Sequence, residues 1–152
     1  MNTTAYPTES LRTLALVGQS GAGKTTLAEA LLHKTGMIPA PGNVEKGTTV
    51  CDYEPLEKSH QHSLKLAVTH LVHQDTRVHL LDTPGFPDFL GQALCALDAV
   101  ETLAVVINAQ NGIEYTTRRM MHWAETRGLC RMIVINKIDG ENGNLPLLLQ
   151  EI

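Results

Sequence analysis

Three short groups of residues carry the chemistry of this chain. The first is Gly18-Gln19-Ser20-Gly21-Ala22-Gly23-Lys24-Thr25, which fits the spacing GxxxxGK[ST]. Its glycines let successive backbone N–H groups turn inward around a phosphate, and a helix opening at Lys24 adds partial positive charge there. Lys24 supplies a point charge for β- and γ-phosphates and Thr25 a hydroxyl for Mg²⁺, with Thr26 completing the nucleotide-contacting set. The same run also reads as a glycine-rich strand-to-helix turn that binds nothing. Alone it does not separate ATP from GTP.

The second group, Asn136-Lys137-Ile138-Asp139, follows an apolar run, at the carboxyl edge where α/β sheets place ligands. Guanine presents N1–H and a 2-amino group side by side, and one carboxylate accepts from both; adenine offers no such pair. Asp139 therefore selects guanine, the Lys137 stem packs along the base, and Asn136 ties this loop to the phosphate loop. Three fixed residues make a weak motif alone, but behind a phosphate loop they decide for GTP. The third group is Asp82-Thr83-Pro84-Gly85. Asp82 is placed to hold Mg²⁺ through a water, and the Gly85 N–H to reach a γ-phosphate, a contact that exists only in the triphosphate state. By itself DxxG is a simple turn.

The elements that must position these groups are legible in the pattern. The chain has 152 residues, 43% apolar and 18% charged, enough for one domain with a core. Residues 1–10 read as a flexible leader and 11–152 as the domain. Leu14 to Val17 is a strand buried on both faces, followed by a helix over 24–34. Residues 35–62 show no sustained period and read as a long functional loop. Alternation over 63–72, a turn at 74–76 and a strand over 78–81 make an antiparallel hairpin. A helix over 88–99, a strand over 103–108, a helix over 113–126, a buried strand over 132–135 and a helix from 145 follow. The result is a mainly parallel α/β sheet with one antiparallel edge strand.

Bulk properties exclude several classes. A net charge of −4 gives no general attraction to nucleic acid, so no direct sequence-specific binding of it is expected. No run approaches the about 18 apolar residues that span a bilayer, and the polar start lacks a secretory pattern, so a cytoplasmic protein without membrane contact is expected. Cys51, Cys95 and Cys130 share no CxxC spacing and read as free thiols, the last two in apolar, core-like surroundings. Five of the seven histidines fall between His60 and His79. His70 and His73 face opposite sides of a strand, so these histidines read as exposed loop and edge-strand residues rather than a metal site. Trp123 reads as packed or partly exposed, and Arg118 and Arg119 as solvated surface on a helix leading away from the phosphates.

Gly-Lys-Thr-Thr at 23–26, Asp-Thr-Pro-Gly-x-x-Asp-Phe at 82–89 and Asn-Lys-Ile-Asp at 136–139 resemble the elongation factor G family, most of all its divergent elongation-factor-G-like branch. The similarity runs from about Leu11 to the chain end. It implies a P-loop GTPase fold, a three-layer sandwich that binds GTP or GDP with Mg²⁺, switches conformation on hydrolysis and partners the ribosome. It also implies truncation before the last guanine loop, with a sheet lacking its closing strand and exposing apolar surface. Within the family's first switch, Asp52 and Glu57 fall on family carboxylates. Ser63 falls on the threonine that contacts Mg²⁺ and γ-phosphate, with Thr48 and Thr49 as rivals. Thr25, Ser63 and Asp82 are thus the metal set.

Three departures from the family pattern stand out. Phe86 occupies the position of the family's water-positioning histidine, and a phenyl ring neither accepts nor donates a hydrogen bond. The family's Arg-Gly-Ile-Thr stretch reads His60-Gln61-His62-Ser63, and Gly21 replaces a phosphate-loop aspartate. No catalytic residue is assigned. The functions left open are a ribosome-associated GTPase, a GTP-dependent binding switch with little hydrolysis, and a different P-loop phosphotransferase, against which Asp139 argues.

Overall fold

The run Leu11–Val17 forms β1, the central strand of a five-stranded sheet in the order β2-β3-β1-β4-β5. The other strands are β2 (Ala67–His73), β3 (Thr76–Asp82), β4 (Thr102–Asn108) and β5 (Cys130–Asn136). This computed structural model describes residues 5–140 and 145–152. β1 pairs in parallel with β3 and β4, β4 in parallel with β5, and only β2 runs antiparallel, against β3. The apolar character of β1 and β4 follows from this placement, since each face of a central parallel strand meets a layer of the core. Leu16, Leu80, Ala104 and Val106 point to one face with Ala28 and Leu32 of helix α1 (Lys24–Lys34). Ala15, Val17, Leu103, Val105 and Ile107 point to the other. There they meet α3 (Leu90–Leu97), α4 (Tyr115–Thr126) and α5 (Leu145–Glu151). The expected three-layer sandwich with one antiparallel edge is the observed architecture.

Several boundaries differ from expectation, each for a physical reason. The loop over 35–62 contains a short helix, α2 (Pro55–His60), with proline in its first turn and Glu57 reaching back to the Glu54 N–H. Strand β2 begins at Ala67 rather than at 63, because the N–H groups of Leu64 and Lys65 go to the Glu57 carboxylate instead of a ladder. The helix expected over 88–99 is split into a 3-10 turn, Pro87–Phe89, and α3. The strand expected to be buried over 132–135 belongs to β5, which is the sheet edge, with Met132 45% exposed and the residues after it half-buried. Cys95 and Cys130 are exposed, against the expectation that they sit in the core, and Cys51 is buried. Cys95 sits on the outer side of α3 between the buried Ala93 and Ala96, and Cys130 opens the edge strand. Trp123 is half-buried under the Arg119 guanidinium, and Arg118 and Arg119 are exposed, as expected. Of the leader, residues 1–4 lie outside the described residues and Thr8–Ser10 form a 3-10 turn.

Two buried carboxylates mould the long segment before β2. Glu29 of α1 accepts from the Gly42 N–H at 2.7 Å and the Val50 N–H at 2.6 Å. Glu57 accepts from Glu54, Leu64 and Lys65 backbone N–H groups at 2.9, 2.9 and 3.0 Å. These bonds replace the ladder that a loop lacks, and they compensate the burial of the charges. The exposed Lys65–Glu54 pair at 2.6 Å contributes little beside them. Replacing Glu57 with alanine leaves three backbone donors without their acceptor and should cost about 2–4 kcal/mol of unfolding free energy. Glu57→Gln, which keeps one acceptor oxygen, should lose less. Urea unfolding of both variants checks this, and equal losses would show that packing rather than hydrogen bonding sets the role of Glu57.

Candidate functional site

The carboxyl ends of β1 and β3 lie side by side, so the segments leaving them share one edge of the sheet. Thr83 fastens the two ends, its N–H and hydroxyl both donating to the Leu16 carbonyl, at 3.3 and 2.7 Å. Between the phosphate loop, the 82–86 segment and the loop before β2 lies a cleft of about 410 Å³. Ser20, Gly21, Gly23, Lys24, Thr25, Thr26, Ser63, Gly85, Phe86 and Lys137 all line it.

Lys24 opens α1 and is only 6% exposed. Its ammonium donates to the carbonyls of Gly18 and Gln19, both at 2.9 Å. Burial lowers its pKa from the ordinary 10.5 to about 8, against an opposing pull from Asp82. Gly85 packs directly on this loop, its carbonyl accepting from the Ser20 N–H at 3.1 Å. A Cβ at Gly85 would lie 2.4 Å from the Lys24 Nζ and 2.5 Å from the Ser20 nitrogen, so only glycine can approach this closely. Ala22 is buried behind the loop, and its carbonyl accepts from the Asn136 amide at 2.9 Å. Gly23 makes room for that amide: its φ is +94°, and a Cβ there would lie 2.3 Å from the Asn136 Nδ2. Asn136 thus joins the two loops, as expected from the sequence. Lys137 follows with φ +57°, a conformation that costs a non-glycine residue about 1 kcal/mol. It turns the chain so that Lys137 lines the cleft while Asp139, exposed, lies outside the lining.

The expected metal set also converges. The Thr25 hydroxyl donates to the Asp82 Oδ2 at 2.6 Å and lies 3.2 Å from the Ser63 Oγ. Ser63 in turn donates to the Asp52 Oδ1 at 2.7 Å, and Thr49 to the Asp52 Oδ2 at 2.8 Å. Of the rival hydroxyls, Thr49 is committed to Asp52 and Thr48 to the Asn43 carbonyl, leaving Ser63 beside Thr25. Asp82 is buried, and its Oδ1 has no hydrogen-bond partner among the described residues. Burial raises the Asp82 pKa from 3.8 to about 6, while the Thr25 hydrogen bond and Lys24 lower it. Two hydroxyls and two carboxylates, one with an orphaned buried oxygen, form the hard-oxygen donor set that suits Mg²⁺.

Sequence reasoning missed Glu29, and it took His62 for an exposed residue. His62 is half-buried and lines the cleft against Phe86. For Glu29 the available signal was its place on α1 between the buried Ala28 and Leu32. For His62 no sequence signal existed, since α2 and the turn after it set its direction. His70 faces His79 across the β2–β3 pair, with ring centroids 6.5 Å apart, and has no such contact with His73.

Residues 9–152 match the model of the elongation factor Tu GTP binding domain. An elongation factor G-like protein of Mycobacterium tuberculosis is 40% identical over 141 residues, covering 93% of this chain and 20% of the relative. The tetracycline resistance protein TetO of Streptococcus pneumoniae is 37% identical, covering 91% of this chain and 22% of the relative. A crystal structure of a Thermus thermophilus protein superposes with a TM-score of 0.88 at 44% identity, over 92% of this chain and 21% of that one. The chain spans about a fifth of the length of these relatives. Among the described residues no helix is long and apolar enough to cross a membrane.

The depressed Lys24 pKa has a sign that can be measured. Between pH 8 and 10.5 the unfolded chain holds a proton that the folded chain has lost, so stability without ligand should rise across that window. A polyphosphate favours the ammonium, so its binding should take up a proton above pH 8. Affinity should then fall by up to about tenfold per pH unit toward pH 10. Calorimetric titration in buffers of different ionisation enthalpy reads this directly. Affinity that does not vary with pH would show that another group meets the phosphates.

Proposed function

From the premise that this chain belongs to the elongation factor Tu GTP-binding domain family, we propose that its cleft binds GTP and GDP with Mg²⁺ and hydrolyses GTP slowly. The chain is a translational GTPase G-domain related to elongation-factor-G-like and tetracycline-resistance proteins. The observation that carries the finer reading is the hydrogen bond from Asn136 to the Ala22 carbonyl. It holds the base-reading loop against the phosphate loop at a fixed distance, so one ligand can bridge Lys24 and Asp139. In that arrangement Asp139 accepts from the guanine edge, the phosphate-loop N–H groups and Lys24 meet the phosphates, and Thr25, Ser63 and Asp82 hold the magnesium. The metal, when bound, neutralises charge on the β- and γ-phosphate oxygens.

Slow hydrolysis is supported by the side chain at residue 86. The Phe86 ring is 37% exposed at the cleft, where it can exclude water but not orient it. Such a domain signals chiefly by which nucleotide it holds. By resemblance the ribosome is the partner, in the cytoplasm, and a conformational change at Gly85 reports the γ-phosphate.

Two measurements test this reading. Titration with fluorescent GDP should saturate in the presence of Mg²⁺, resist competition by ATP, and weaken at least about a hundredfold in Asp139→Ala, which leaves the guanine donors unpaired. Equal competition by ATP would point to a phosphotransferase instead. Single-turnover hydrolysis should rise at least about tenfold in Phe86→His, within the range a positioned acceptor supplies. An unchanged rate would place the rate-limiting defect elsewhere.

A further inference from the structure

We propose that His62, reaching in from the loop before β2, supplies the hydrogen-bond acceptor that aims the attacking water at the γ-phosphate. This rests on the reading of the cleft as a GTP site. Three observations place the imidazole for that task. It lines the cleft together with Lys24, Thr25, Gly85 and Phe86. Its ring lies against the phenyl of Phe86, with centroids 4.6 Å apart and planes tilted by 52°. Its Nδ1 lies 2.8 Å from the His60 carbonyl.

The last contact fixes the ring's chemistry. A carbonyl only accepts, so Nδ1 carries the hydrogen, and in the neutral ring Nε2 keeps a lone pair free to accept. The His62 backbone and the neighbouring Ser63 side chain are held as well. The His62 N–H donates to the Glu57 carbonyl at 3.2 Å, and the Ser63 hydroxyl next to it meets Asp52 and Thr25 at 2.7 and 3.2 Å. An imidazole anchored through Nδ1, backed by a phenyl ring and tethered at its own backbone loses little freedom when it takes a water. Phe86 then serves as an apolar wall against which the acceptor rests.

In the step, the water oxygen bonds to the γ-phosphorus while the bond from that phosphorus to the β–γ bridging oxygen breaks. The electron pair leaves with GDP, and a water proton passes to a γ-phosphate oxygen. The products are GDP and inorganic phosphate, and Nε2 orients the water throughout.

The test compares the wild-type chain with His62→Ala and His62→Gln by single-turnover GTP hydrolysis, alongside the Kd for GTP and GDP. Alanine should slow hydrolysis at least about tenfold with both Kd values within about twofold of wild type. Glutamine, whose side-chain carbonyl still accepts, should recover part of the loss, which a merely structural role would not produce. A second readout needs no variant: modification of His62 by diethyl pyrocarbonate, mapped by mass spectrometry, should be slower with a non-hydrolysable GTP analogue than with GDP. Wild-type hydrolysis in His62→Ala, equal labelling in the two nucleotide states, or a wild-type rate no faster than buffer would each overturn the proposal. Failure of the wild-type chain to bind GTP at all would instead overturn the reading of the cleft, and this proposal with it.

Discussion

One ammonium and one carboxylate are buried together at the carboxyl edge of a parallel sheet, and the arrangement of the cleft follows from what that costs. Lys24 and Asp82 are each buried, and burial pushes their pKa values toward the neutral forms. Lys24 is compensated by two loop carbonyls, and Asp82 by Thr25 on one oxygen only. The ligands proposed above would bring both signs of charge, a polyphosphate for the lysine and a cation for the aspartate. The same field reaches Cys51, whose thiol is pushed well up by burial and by the surrounding carboxylates Asp82, Glu29, Asp52 and Glu57. A buried thiol so disfavoured as thiolate is packing, not chemistry.

Three further buried carboxylates shape the segment before β2, and each accepts hydrogen bonds. Glu29 and Glu57 are turned on backbone N–H groups and Asp52 on two hydroxyls. Acidic side chains therefore do for the segment before β2 what a ladder does for a strand. They also link function to shape. Asp52 holds Ser63 beside Thr25, and Glu57 holds the backbone of Leu64 and Lys65 that follows. A ligand that draws on Thr25 and Ser63 acts on the same hydrogen bonds that position the loop, a direct route by which occupancy of the cleft can change the conformation of that loop.

The sheet was legible because burial on one or two faces imposes a period on the residues themselves. β4 and α4 lie close to where apolar spacing put them, β1 extends the expected strand back to Leu11, α1 follows the glycine-rich turn, and β2 and β3 pair as the turn at Gln74 and Asp75 requires, both with positive φ. The errors fall where the period carries no such information. An apolar run such as β5 reports that it can be covered, not that a neighbour covers it. Cys95 looked apolar in sequence because Ala93, Ala96 and Leu97 flank it, yet a helix turns one residue in that row outward.

The three motifs at 18–25, 82–85 and 136–139 could be read from the sequence alone, because each is a contiguous run whose residues lie within a few positions of one another. The sequence also determined Thr25, Asp82 and Ser63 as partners, through a spacing shared with a known family. Only the tertiary structure decided which of the rival hydroxyls meets Thr25, that Ala22 supplies the carbonyl for Asn136, and that His62 lies on Phe86. Those contacts join residues separated by a helix or by several strands, and their geometry depends on how the layers pack. A linear pattern cannot encode a direction that is set by where another element comes to rest.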